Sequence, residues 1–99
     1  IRDSLINVDD RGIQTILKEI STDDLALALK MASDELREKI FRNMSSRAVA
    51  ILKEEMEAKG PVRVRDVEKA QMNIVKVARR LEEEGKIVVG GKGGEALVT

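Results

Sequence analysis

Residues Lys53 to Glu68 read KEEMEAKGPVRVRDVE, and the break in this stretch decides the architecture. Glycine closes helices in backbone conformations that other residues avoid, and proline cannot continue one. A helix is therefore predicted to run up to about Lys59 and stop at Gly60-Pro61. A longer one is predicted to start near Asp66 and end at Gly85. Its apolar stripe, Val67, Ala70, Ile74, Val77, Ala78 and Leu81, recurs at helical spacing.

Upstream of the break the same pattern repeats in shorter units. Asp9-Asp10 precede Ile13, Ile16, Leu17 and Ile20, the spacing of an amphipathic helix. Ser21 opens a second helix, with Asp24 placed for a capping box and Leu25, Ala28, Leu29 and Ala32 on its apolar side. Ser33 is the next N-cap, followed by Asp34 and Glu35, which suit the positive end of a helix. That helix carries Leu36, Ile40, Phe41 and Met44. Ser45-Ser46 cap the fourth helix, on which Ala48, Leu52 and Met56 form a core line flanked by Val49 and Ile51. Short helices joined by tight turns predict helical hairpins packed in layers. After the last helix, Lys86 to Val89 read as a short extended run, and GGKGGE opens a flexible tail over 90–99. Residues 1–8 read as the end of an upstream helix or a linker, and a start at Ile1 reads as a piece of a larger protein.

Composition narrows the chemistry. Ninety-nine residues, 42% hydrophobic and 36% charged, make one globular domain. With Phe41 the single aromatic, the core must be aliphatic. There is neither Cys nor His, which excludes Cys/His zinc sites, thiolate chemistry and histidine-based acid–base catalysis. No enzyme and no cofactor is expected. Lys+Arg and Asp+Glu are both 18, and a net charge of zero argues against nucleic acid as partner. GGKGGE fits neither the dinucleotide nor the Walker A spacing. Glu54-Glu55 sit about 100° apart on a helix and do not converge on a cation.

What remains is surface charge. Arg47 and Glu54 are seven positions apart and point the same way, ~10 Å along the helix axis. Lys53 with Glu57 and Glu55 with Lys59 have the i, i+4 spacing of weak helix ion pairs. Arg79-Arg80 and Glu82 to Glu84 read as a solvated face. The strip Arg47, Glu54, Glu55 and, past the break, Arg63 is either ordinary wet surface or a face that meets a partner of complementary pattern.

DDRGIQTILKEI, DLALALK, ELREKIFRNMSSRA and GPVRVRDVEKAQ occur in this order between Val8 and Val89, and with them the chain resembles the C-terminal domain family of the bacterial flagellar motor switch protein FliG. The resemblance implies an all-α fold, a compact bundle of short helices around one longer helix, built of armadillo-like helical hairpins. It implies a rotor component at the flagellar basal body, on the cytoplasmic face of the inner membrane and associated with that membrane only indirectly. It implies torque taken up from the cytoplasmic loop of the stator protein MotA, and contact with other flagellar switch proteins through the parent chain. Carried over residue by residue, the charged ridge is Lys30 of LALK, Arg47 of MSSR, the paired acids Glu54 and Glu55, and Arg63 of GPVR. The family's paired acids are often Asp; here both are Glu, which keeps the charge and adds reach. The alternative is a generic helical interaction scaffold with no stator contact.

Overall fold

Four of the helices begin with one device: an extended residue whose side-chain oxygen accepts the N–H three positions on. Asp9 caps α1 (Asp10–Leu17) through Gly12, and Ser21 caps α2 (Thr22–Leu29) through Asp24. Ser33 caps α3 (Asp34–Arg42) through Leu36, and Ser45 caps α4 (Ser46–Lys59) through Ala48. These are the caps expected from the sequence. The second half of the box at Ser21 goes elsewhere, because the Asp24 carboxylate accepts from the Asn73 amide at 3.0 Å and so ties α2 to the last helix. α5 spans Val64–Glu83 and starts earlier than expected, since the Asp66 and Val67 N–H groups both reach the Arg63 carbonyl. The computed structural model describes residues 7–88; the expected Gly-rich tail and most of the expected N-terminal linker lie outside them.

The two glycine stops work as read from the sequence. Gly60 ends α4 at φ 58°, ψ −146°, a region open to little but glycine. After α5, Gly85 at φ 75° turns the chain back, with Lys86 N–H on the Leu81 carbonyl and Gly85 N–H on that of Glu82. This paired closure is a Schellman motif. It returns Ile87, 6% exposed, to the start of α1 near Gly12 and Val8, while Val88 stays in solvent. Among the described residues of the expected extended run, 86–88, Ile87 is thus core.

α2 is the central short helix, packed on both α4 and α5, with α1 against α5. Ile13, Ile16, Leu25, Ala28, Leu29, Leu36, Ile40, Leu52, Ala70, Ile74 and Leu81 form one continuous aliphatic core. The expected stripes fill it, joined by Val8, Ala26 and Ile87. Ala26, fully buried, is off the α2 stripe. It is covered because that helix is packed on two sides. Of the expected α4 core, Leu52 is in it and Met56 packs against it, while Ala48, Val49 and Ile51 are not among its members. Ile51 is 48% exposed, because the helix meets its neighbours through Leu52 and Met56, and a neighbouring position is rotated about 100° away.

Gly12 shows how tightly the entry to α1 is built. A Cβ there would stand 2.5 Å from Val8 Cγ1 and 2.9 Å from the Asp9 cap oxygen. Gly to Ala in an open helix gains about 1 kcal/mol. Here Gly12→Ala is expected to destabilise by ~1–3 kcal/mol, since buried Val8 has no room to move and the cap is pushed off its donor. Urea denaturation checks the sign, and a gain in stability would refute the close packing.

Candidate functional site: the charged ridge of α4

Arg47 lies in the first turn of α4 and Glu54 two turns on, both exposed. α4 packs through the opposite side, where Leu52 is the buried residue. Arg63, also exposed, stands as the N-cap position of α5 just past Gly60-Pro61 and makes no side-chain cap bond there. Among the described residues none of these three enters an ion pair or side-chain hydrogen bond. Other surface charges are free as well, Glu68 and Lys76 among them. Arg47 and Glu54 are distinguished by sharing one face of α4, and Arg63 by following the stop of that helix.

The other two expected ridge residues sit differently. Glu55 is half-buried and rotated from Glu54 towards the side where Lys59 pairs with Asp23 of α2. The Asp23 carboxylate holds the Lys59 amino group above its usual range, with Glu55 and Asp24 adding to the same field. The expected Glu55–Lys59 pair thus gives way to a bridge between helices. Lys30 is the C-cap of α2, half-buried, and shares a groove with Lys53, Met56 and Glu57 of α4. The fold therefore brings Arg47 and Glu54 onto one face, leaves Arg63 at its end, and sets Lys30 and Glu55 to its flanks.

Packing also redirects other charges. Lys53 does not turn to Glu57; its amino group stands over the Phe41 ring, 5.3 Å from the centroid, a cation–π contact with α3. Arg80, expected as solvated surface, reaches both Glu19 after α1 and Glu84. Arg37 donates from Nε to the Leu29 carbonyl and from Nη2 to that of Lys30, each at 2.9 Å. It thereby satisfies the end of α2 and fixes the backbone that carries Lys30. Sequence reading missed it because the partners are backbone atoms on another helix, for which no residue pattern stands.

Among the described residues no group of three or more acids is placed to hold a metal ion. The apolar void inside the bundle measures about 20 Å³ and has Gln71 as its one polar lining residue, engaged on the Ala28 carbonyl. Among the described residues no helix is long and apolar enough to cross a membrane.

A row of exposed charge along α4 is a candidate contact surface, and the relatives of the chain bear on what kind. The model of the FliG C-terminal domain matches residues 2–89. The chain belongs to the FliG C-terminal domain family. The flagellar motor switch protein FliG of Thermotoga maritima is 58% identical over 96 residues, 97% of this chain and 29% of the relative. That of Pseudomonas aeruginosa is 56% identical over the same share of the chain and 28% of its own length. Among solved structures, a FliG fragment from H. pylori superposes with TM-score 0.83 at 39% identity over 86% of this chain and 40% of that one. Full-length FliG from Aquifex aeolicus gives 0.80 at 37% identity over 86% of this chain and 27% of that one. The chain thus spans under a third of the length of these full-length relatives. The expected all-α bundle of short helices around a longer one is the fold observed.

Proposed function

We propose that this domain is the torque-bearing part of a flagellar rotor protein. Its α4 ridge meets the cytoplasmic loop of the stator protein MotA, and its parent chain joins the other switch proteins at the basal body, on the cytoplasmic face of the inner membrane. The observation that carries the reading is the pair Arg47 and Glu54, unpaired among the described residues and aligned on the outward face of α4, in a chain so similar to motor switch proteins. Arg63 extends the row past the helix stop; Lys30 and Glu55 flank it. Opposite signs at fixed spacing set register and orientation with a partner, which a single-sign patch does not. The same domain would pass a change of orientation in the parent chain to the ridge and so support reversal of rotation.

The test is Glu54→Lys in the full-length parent chain of a motile cell. Swimming speed is expected to fall, and a reversal of a basic residue on the stator loop to restore part of it. Restoration by no stator reversal would remove direct charge contact from the reading. Normal swimming with Glu54→Lys and with ridge arginine reversals alike would leave only a scaffold.

A further inference from the structure

α4 and α5 stop at glycines with positive φ, but α2 has no such stop. Its C-cap, Lys30, stays helical at φ −56°, ψ −34°, and Ser33 already caps the next helix. Three residues, Met31 to Ser33, turn the chain with no glycine among them. The last carbonyls of a helix lack intrahelical donors and carry its negative end. Here a cation from the following helix meets them. Arg37, in the first turn of α3, spreads its guanidinium over the carbonyls of Leu29 and Lys30, at 2.9 Å each. The Ala32 N–H shares the Leu29 carbonyl at 3.2 Å, and the Arg37 N–H closes on the Ser33 carbonyl at 3.0 Å. One residue thus holds the turn from both sides. Its acidic neighbour Asp34 stands 4.0 Å away and is 97% exposed, too far and too wet to draw the guanidinium off. Two consecutive carbonyls call for two donors in a fixed fork, which arginine carries and lysine lacks.

We infer that Arg37 is the positioning residue of Lys30, and that it acts on rotation through Lys30 and not through its own charge. The inference rests on the reading of Lys30 as the flank of a stator-facing row. A row that sets register works only while its charges keep their spacing. Arg47 and Glu54 take theirs from α4 alone. Lys30 sits at the end of another helix, and a helix end frays unless something closes it. The fork of Arg37 is that closure.

The test is stall torque of tethered cells whose full-length parent chain carries Arg37→Met, Lys30→Ala or both, beside hydrogen exchange of the purified chains. Met keeps an apolar stem and removes the donors. Arg37→Met is expected to cost about a fifth to a half of the torque, and no more than Lys30→Ala does, since it acts through that one charge. In the Lys30→Ala background it is expected to remove nothing further, because residues that act as a unit are not additive. The amides of Lys30 to Ala32 are expected to exchange about tenfold faster or more in Arg37→Met, with those of α4 and α5 unchanged. Unchanged exchange at Lys30 to Ala32 overturns the inference. So does faster exchange throughout α4 and α5, which makes Arg37 a support of the whole fold. So does a torque loss that Arg37→Met still causes in the Lys30→Ala background, which gives Arg37 a role of its own. Full torque in Lys30→Ala and Arg37→Met, while reversal of Arg47 and Arg63 stops rotation, takes Lys30 and its support out of the row and leaves the stator reading in place. Full torque in all of them, the arginine reversals included, overturns both.

Discussion

Leu52→Ala is expected to destabilise the domain by ~2–5 kcal/mol, the largest stability effect of any α4 substitution. Leu52 is fully buried and is the single buried residue of its helix, so what it loses is the wedge that holds α4 against α2. Its neighbours there are aliphatic and already in contact, which leaves little scope for collapse into the space of an isobutyl group. Domains of this size are stable by only ~5–15 kcal/mol, so the loss takes a large share of the total. Two neighbouring changes calibrate it. Glu54→Gln is expected to shift stability by less than ~0.5 kcal/mol, since an exposed, unpaired carboxylate supports nothing in the fold. Ile51→Ala should fall between the two and nearer the small one. Urea denaturation of the three variants gives the order. A Glu54→Gln loss near that of Leu52→Ala would make the acid structural and take it out of the ridge.

The distance between Leu52 and Ile51 marks how far this fold was legible in the sequence. Caps, stops and stripes are local signals, and they placed the helices: Ser21, Ser33, Ser45, Gly60 and Gly85 all act as read. The stripes of α1, α2, α3 and α5 are deeply periodic and their centres bury as expected, with Leu17, Ile20, Ala32, Phe41, Met44 and Val77 half-buried against the core. α4 is different. Its apolar residues spread over much of the helix, Ala48, Val49, Ile51, Leu52 and Met56, so periodicity alone does not say which of them faces inward. The packing of α2 decided it, and that is a tertiary fact. The charges follow the same rule. An i, i+4 pairing offers only a few tenths of a kcal/mol, so a cross-helix partner such as Asp23 for Lys59, or the Phe41 ring for Lys53, easily displaces it. The stations of Arg47 and Glu54 were readable because both depend on one helix alone. Those of Lys30 and Glu55 were not, because each is set by what packs beside it.

The largest functional effect is expected from reversing Arg47 and Arg63 together. Singly, Arg63→Ala or Glu54→Ala should impair rotation only modestly, because an exposed pair contributes at most ~1 kcal/mol and the remaining ridge charges still present the pattern. Steering depends on the summed field, and its loss lowers encounter rates by about tenfold or more. Arg47→Glu with Arg63→Glu changes the ridge from mixed sign to predominantly acidic, with Glu54 and Glu55 beside the two new acids and Lys30 left as its base. Complementarity then becomes repulsion, and rotation is expected to drop to about a tenth or less. Folding should survive, since both arginines are exposed and neither holds a partner among the described residues. Swimming speed of cells with the doubly reversed full-length parent chain, with and without a sign reversal on the stator loop, is the measurement, and melting of the purified chain is the control. Partial restoration by the stator reversal supports direct charge contact. Normal swimming by a folded double variant would reduce the ridge to wet surface. Failure that no stator reversal repairs would mean that the arginines act on the orientation of the domain within its own parent chain, because a purely electrostatic contact must be indifferent to which partner carries which sign.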